Sequence, residues 1–184
     1  MAEDRPALRR RLRAARRAVP AVGRIAAAAA IDRALARLGL PKPGTRVSAF
    51  RPFDGEIDPG VVLRRARALA CRVYFPVVTS LRTRRMRFVA PADGGGGTIG
   101  PRWLDLVLVP LVGFDPRGHR LGMGAGLYDR HFAFLRHRLA WRRPLLVGVA
   151  FEAQKVERLA ESEHDVQLDG VVTERGTYGR ITGR

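Results

Sequence analysis

Two dense apolar runs, residues 104–112 and 145–151, constrain this chain more than any other feature. Each is short, rich in Val and Leu and bounded by turn residues, the pattern of a strand buried on both faces. Strands of that kind need cover on both sides, which calls for a layered fold. Between them lies a polar turn, Asp115-Pro-Arg-Gly-His119. It is followed by Arg120-Leu-Gly-Met-Gly-Ala-Gly-Leu-Tyr-Asp129, after which Phe132, Leu135 and Leu139 recur at helical spacing. Strand, glycine loop and helix, in that order, point backbone N–H groups and a helix N-terminus at an anion.

The rest of the chain supplies the layers. Residues 6–19 read as a helix with Leu8, Leu12, Ala15 and Val19 on one face and Pro6 in its first turn. A second helix over 22–38 places Ile25, Ala28, Leu35 and Leu38 inward and stops at Gly39 and Pro41. Residues 46–50 form a strand, and Asp54-Gly55 signals a turn. Asp58-Pro59 opens a third helix that runs to about residue 70. A strand over 72–78 is broken or ended by Pro76, and a shorter one covers 86–89. The glycines of 93–97 read as a flexible connector. After the central loop come a helix over 128–140 and a short helical or irregular piece at 152–154. A last strand covers 166–173, and residues from Thr173 onward read as a fraying tail. The expectation is one α/β domain over 1–184, three-layered, with a mostly parallel sheet flanked by helices.

At 184 residues the chain can bury a full core. No apolar run approaches the roughly 20 residues needed to span a bilayer. The basic N-terminus lacks a continuous apolar segment and carries Glu3 and Asp4, against a secretory or transit signal. With a lone Cys71 read as a core residue, a reducing, cytoplasmic setting without membrane attachment is expected. The net charge of +17 invites a nucleic-acid reading. Yet only Lys42 and Lys155 are lysines, the arginines run from Arg5 to Arg184, and no aromatics interleave with them as a stacking platform. A solvated basic surface that attracts anionic substrates is the preferred reading, with nucleic acid second. No long amphipathic stripe is left over, and a monomer is the simplest expectation.

The glycine loop is not a P-loop, since no Gly-Lys-Ser/Thr follows it. It comes close to a dinucleotide fingerprint, but about ten residues separate strand from glycines, where that fingerprint needs a tight turn. Its flanks are more informative. Arg120 and backbone N–H groups suit phosphate, and Asp129 beside a phosphate suits Mg²⁺, with Asp165 a candidate second carboxylate. The alternatives are a first-turn helix acid for Asp129 and a turn or cap for Asp165. Arg5 and Arg9 are four apart and can share one helix side to hold a polyphosphate. On spacing alone, however, Arg9, Arg10, Arg11 and Arg13 read as solvating an outer face. Glu56 falls in a strand-to-helix loop, where ligand-binding groups collect. A partner for ligand N–H groups and a solvent-facing acid are both open there.

The motif Arg120-Leu-Gly-x-Gly-x-Gly-x-Tyr-Asp129 is preceded by Asp105-Leu-Val-Leu-Val-Pro110 and Phe114-Asp115. With Phe53-Asp-Gly-Glu-Ile-Asp58, Phe75-Pro-Val-Val78, Val147-Gly-Val-Ala-Phe151, Gln154, Glu163-His-Asp165 and Asp169-Gly-Val-Val-Thr-Glu174, it resembles the 5-formyltetrahydrofolate cyclo-ligase (methenyltetrahydrofolate synthetase) family in order along nearly the whole chain. The resemblance implies ATP- and Mg²⁺-dependent closure of 5-formyltetrahydrofolate to 5,10-methenyltetrahydrofolate, with ADP and phosphate released. It places ATP on Arg5, Arg9, Arg120, Leu121, Gly122, Met123, Gly124, Ala125, Gly126, Leu127 and Tyr128. It places the folate on Arg51, Glu56 and residues 123–127, and Mg²⁺ on Asp129 and Asp165. No covalent nucleophile is implied, and Arg120 stabilises charge. Arg5 stands where the family has Lys, Leu111 where it has Gly, and Ala125 and Leu127 where it has Gly and an aromatic; the segment 93–103 is short. The rival readings are a basic nucleic-acid-associated member with weakened catalysis and a ligase for another pterin or amide.

Overall fold

A computed structural model describes residues 4–136 and 143–181. The chain opens with two helices, α1 (Arg5–Arg17) and α2 (Ala21–Arg37), then strand β1 (Arg46–Ser48), helix α3 (Gly60–Ala68) and strands β2 (Arg72–Ser80) and β3 (Arg85–Val89). Strands β4 (Thr98–Ile99), β5 (Leu106–Pro110), β6 (Gly113–Phe114) and β7 (Arg120–Leu121) lead to helix α4 (Leu127–His131). Strands β8 (Leu145–Val149), β9 (Gly170–Val172) and β10 (Thr177–Gly179) complete the order. Eight strands form one sheet in the order β10-β9-β8-β5-β1-β2-β3-β4, while β6 and β7 pair separately. The pairs linking β9, β8, β5, β1 and β2 are parallel, and β10, β3 and β4 add antiparallel edges. This is the three-layer, mostly parallel α/β fold expected from the two apolar runs.

Alternation along β5 shows why those runs read as continuously apolar. Leu106 and Leu108 face a core built with Ala28, Ile31 and Leu35 of α2 and Val62, Leu63 and Ala66 of α3. Val107 and Val109 face the other side, where Phe88, Phe132, Leu135, Val166 and Leu168 cover them. Each fully buried Val or Leu contributes about 1.5–3 kcal/mol relative to exposure. A central strand hidden on both faces therefore gains twice over.

The structure corrects several expectations. β2 runs straight through Pro76, because β1 pairs with it only as far as Tyr74. Beyond that point β2 is an edge on that side, where a missing N–H costs no ladder bond. The residues after Thr173 are held rather than frayed. β10 pairs with β9, and the Tyr178 hydroxyl donates to Glu152 at 2.7 Å. Ile25 is 72% exposed, since α2 buries the stripe Ala27, Ala28, Ile31, Ala34 and Leu35 instead. The segment 93–97 contains part of a 3₁₀ turn (Ala92–Gly94) that leads into β4. The helix after the glycine loop is only five residues, followed by a 3₁₀ turn at Ala133–Leu135. Leu139 and Ala140 lie outside the described residues. A helix that short has little macrodipole to offer an anion, so any anion held there would depend on side chains and loop amides.

The apolar side chains of α1 join neither of the two main cores. Leu8 and Leu12 pack with Val112, Leu121 and Leu159 in a separate small cluster at the β6–β7 hairpin. Gly113 permits this seating, because a Cβ there would collide with the Leu12 side chain. That hairpin accounts for the ten-residue gap between strand and glycines. Its turn is organised by fully buried Asp115, which accepts from the backbone N–H groups of Arg117, His119 and Leu159. No helix among the described residues is long and apolar enough to cross a membrane.

Candidate active site

From β1 the chain crosses to β2 on one side, and it returns to β5 on the other. Such a switch point leaves a crevice at the carboxyl ends of two neighbouring strands, where α/β proteins bind ligands. β5 delivers Pro110 and Leu111 to that crevice, and the loop after β1 delivers Glu56.

The loop is shaped by its own sequence. Asp54 and Gly55 both have positive φ, at 54° and 78°, and the Glu56 N–H donates to the Phe53 carbonyl at 3.1 Å. Two successive positive φ values make a type I′ turn, which Asp-Gly favours. The Phe53 N–H donates to Glu56 Oε2 at 3.1 Å, and Arg16 Nη1 lies 3.4 Å from Oε1. Burial pushes the Glu56 carboxyl above its ordinary value, against the Phe53 N–H and the Arg16 charge, which favour the ionised form. For Asp54, burial also acts upward, but bonds from Arg13, Arg17 and Arg16 outweigh it and bring the carboxyl down to about 2.

The glycine loop follows β7. Gly124 takes φ +102°, a conformation side chains rarely adopt, and Gly126 opens α4 at φ +64°. Arg9 reaches over from α1 and donates through Nε to the Gly122 carbonyl at 2.9 Å. Arg120, 8% exposed, donates to the Val166 carbonyl and to Asp129 Oδ1, each at 2.5 Å. Asp129 Oδ1 also accepts from the Val166 N–H at 3.0 Å. Arg5 Nη2 pairs with Asp165 Oδ2 at 3.2 Å. Burial raises the Tyr128 hydroxyl well above its ordinary value, so it stays a neutral donor.

One cleft is lined by Arg5, Arg9, Glu56, Arg120, Asp129, Asp165 and every residue of 122–128. Sequence-distant candidates thus come together. Two do not line it. Leu121 is wholly buried with Leu8 and Leu12, and Arg51 is exposed with its guanidinium 5.2 Å from the centre of the Phe75 ring. Sequence reasoning missed Pro110, Leu111 and Arg16. The signal for Arg16 was its place four residues after Leu12, on the apolar stripe itself. The arginines of α1 also do more than solvate a face, since Arg13, Arg16 and Arg17 all pair with Asp54.

Among the described residues no group of three or more His, Cys, Asp and Glu is gathered for a metal. Mg²⁺ needs less, because it binds through one or two carboxylates plus phosphate oxygens and keeps its waters. The described bonds of Asp129 fall on Oδ1 and that of Asp165 on Oδ2. Each carboxylate therefore has a second oxygen outside those bonds, the kind of donor such an ion takes.

An α/β domain with a cationic, glycine-lined cleft at its switch point has the means to hold an anionic ligand there. Residues 1–174 match the model of the 5-formyltetrahydrofolate cyclo-ligase family. The 5-formyltetrahydrofolate cyclo-ligase of Escherichia coli K12 is 32% identical over 143 residues, covering 69% of this chain and 76% of that protein. The solved 5,10-methenyltetrahydrofolate synthetase of Mycoplasma pneumoniae superposes with a TM-score of 0.79 at 28% identity, covering 94% of this chain and 99% of that one. The Aquifex aeolicus synthetase superposes with a TM-score of 0.74 at 25% identity, covering 98% and 94%. The chain belongs to the 5-formyltetrahydrofolate cyclo-ligase family, whose members are ATP-dependent ligases.

Proposed function

We propose that this chain converts 5-formyltetrahydrofolate to 5,10-methenyltetrahydrofolate at the expense of ATP, with Mg²⁺ bound, releasing ADP and phosphate. The observation that carries the reading is a single cleft holding Arg5, Arg9, Arg120, the glycine loop, Glu56, Asp129 and Asp165, in a chain of this family. The formyl oxygen is a poor leaving group. In the first step it attacks the γ-phosphorus of ATP, the bond to ADP breaks, and an imidate phosphate forms. The N10 lone pair then attacks the formyl carbon, N10 loses its proton, and the C–O bond breaks to release phosphate.

Little of this needs a reactive side chain. Loose phosphoryl transfer depends on placement and charge neutralisation. Arg5, Arg9 and Arg120 would meet phosphate oxygens, with the amides of 122–128 as further donors. Glu56 would accept from N–H donors of the pterin ring, and Tyr128 would remain a protonated donor. Mg²⁺, when bound by Asp129 and Asp165, would supply further neutralisation of phosphate charge. The nucleic-acid rival is weakened by Arg9, Arg13, Arg16 and Arg17, which are turned onto the protein's own acceptors. Purified protein with Mg²⁺, ATP and 5-formyltetrahydrofolate should generate the near-ultraviolet absorbance of the methenyl product. Absence of product under those conditions would defeat the assignment.

A further inference from the structure

None of the Arg16 side chain is exposed. It occupies the third position of the stripe Leu8, Leu12, Arg16 on α1, where the pattern calls for an apolar residue. A guanidinium is retained in such a place only when acceptors surround it. Here there are four: Asp54 Oδ2 at 2.8 Å, the Asp54 carbonyl at 3.1 Å, and Glu56 Oε1 and the Leu111 carbonyl at 3.4 Å each. Glu56 and Leu111 line the cleft, and Arg16 does not. Arg16 therefore stands behind the wall and joins two separate pieces of it, the turn after β1 and the residue after β5.

Among the described bonds, the Glu56 carboxylate has only the Phe53 N–H besides Arg16 to fix it. Arg5 and Arg9, on the same helix, line the cleft themselves. We propose that Arg16 is a positioning residue for the ligase reaction, holding Glu56 at the cleft wall through the Asp54–Gly55 turn and tying α1 to the folate side of the site. This rests on the reading that Glu56 meets the folate. A lysine could keep the charge but not the geometry, since one ammonium cannot span acceptors that a planar fork reaches together.

The test compares full-length wild type, Glu56→Gln, Arg16→Met, Arg16→Lys and the Arg16→Met/Glu56→Gln double variant, with KM measured separately for 5-formyltetrahydrofolate and ATP. Arg16→Met is expected to raise the folate KM on the order of tenfold while the ATP KM moves by about twofold or less. Arg16→Lys should lie between wild type and Arg16→Met. The double variant should match Glu56→Gln alone, because the two residues act as one unit. A folate KM unchanged in Arg16→Lys and Arg16→Met, beside a clear rise in Glu56→Gln, overturns the positioning role and leaves the Glu56 reading standing. An unchanged folate KM in Glu56→Gln overturns both. Should Arg16→Met fail to fold, Arg16→Lys decides: a normal folate KM in that variant defeats the proposal.

Discussion

Arg120 Nη2 lies 2.5 Å from Asp129 Oδ1, so a guanidinium proposed to meet phosphate already balances a carboxylate proposed to hold magnesium. Arg5 and Asp165 repeat the arrangement at 3.2 Å. Incoming Mg²⁺ and ATP would exchange these internal pairs for external ones, which keeps charged groups partnered throughout. Asp129→Asn should retain an acceptor for the Val166 N–H but lose the charge proposed to hold the metal. We expect on the order of tenfold more Mg²⁺ for half-maximal turnover. A titration of rate against Mg²⁺ checks this, and an unchanged midpoint removes Asp129 from the metal site.

Arg9 is placed by its bond to the Gly122 carbonyl, which aligns α1 with the glycine loop. A hydrogen bond to a charged partner contributes about 1.5–3 kcal/mol, or roughly tenfold and upward in affinity. Arg9→Ala should therefore raise the ATP KM by about tenfold, with a much smaller effect on the folate KM. Equal rises in both constants would indicate a displaced helix rather than a lost phosphate contact.

The sheet was legible because burial on both faces leaves a short, dense apolar run bounded by turn residues, as in 104–112. The cleft was legible through the grouping of Arg120, three glycines and Asp129. What stayed hidden depends on contacts between distant segments. Nothing local to Arg16 names Asp54 as its partner, and three residues at 177–179 are too few to show a strand period. Pro76 misled because proline forbids a ladder bond only where a neighbour is present, and the sequence does not say where β1 ends. The short α4 was overestimated because Phe132 and Leu135 do reach the core, as helical spacing requires, but through a 3₁₀ turn.

Gly113 offers a test of how α1 is seated. A Cβ at this position would collide with Leu12 and also approach the Gln154 carbonyl at 3.4 Å. Overpacking of this kind costs about 1–3 kcal/mol. Gly113→Ala should lower the denaturant midpoint accordingly, and it should raise the ATP KM because Arg5 and Arg9 shift with their helix. Trimming the obstacle with Leu12→Ala in the same chain should recover part of the kinetic loss. A Gly113→Ala enzyme with wild-type stability and ATP KM would show that α1 is not held by this contact.

Asp54 gives the pH behaviour a definite sign. Its carboxyl titrates at about 2 in the folded protein against an ordinary 3.8, because three guanidiniums outweigh its burial. The folded state thus binds this proton more weakly than the unfolded state does. The stabilisation is complete above the ordinary value and is lost as pH falls toward the folded one. Asp105, Asp115 and Glu152 are also held low, so the wild-type acid slope is a composite, and the informative quantity is the difference from Asp54→Asn. That variant keeps the size of the side chain but leaves buried Arg16 without its strongest partner, so it should be clearly less stable at neutral pH. The gap should narrow as pH drops from about 5 toward 2.5, because wild type loses the same charge there. Urea midpoints for the two proteins across that range decide the matter: parallel curves would mean that Asp54 does not contribute its ionised form to the fold.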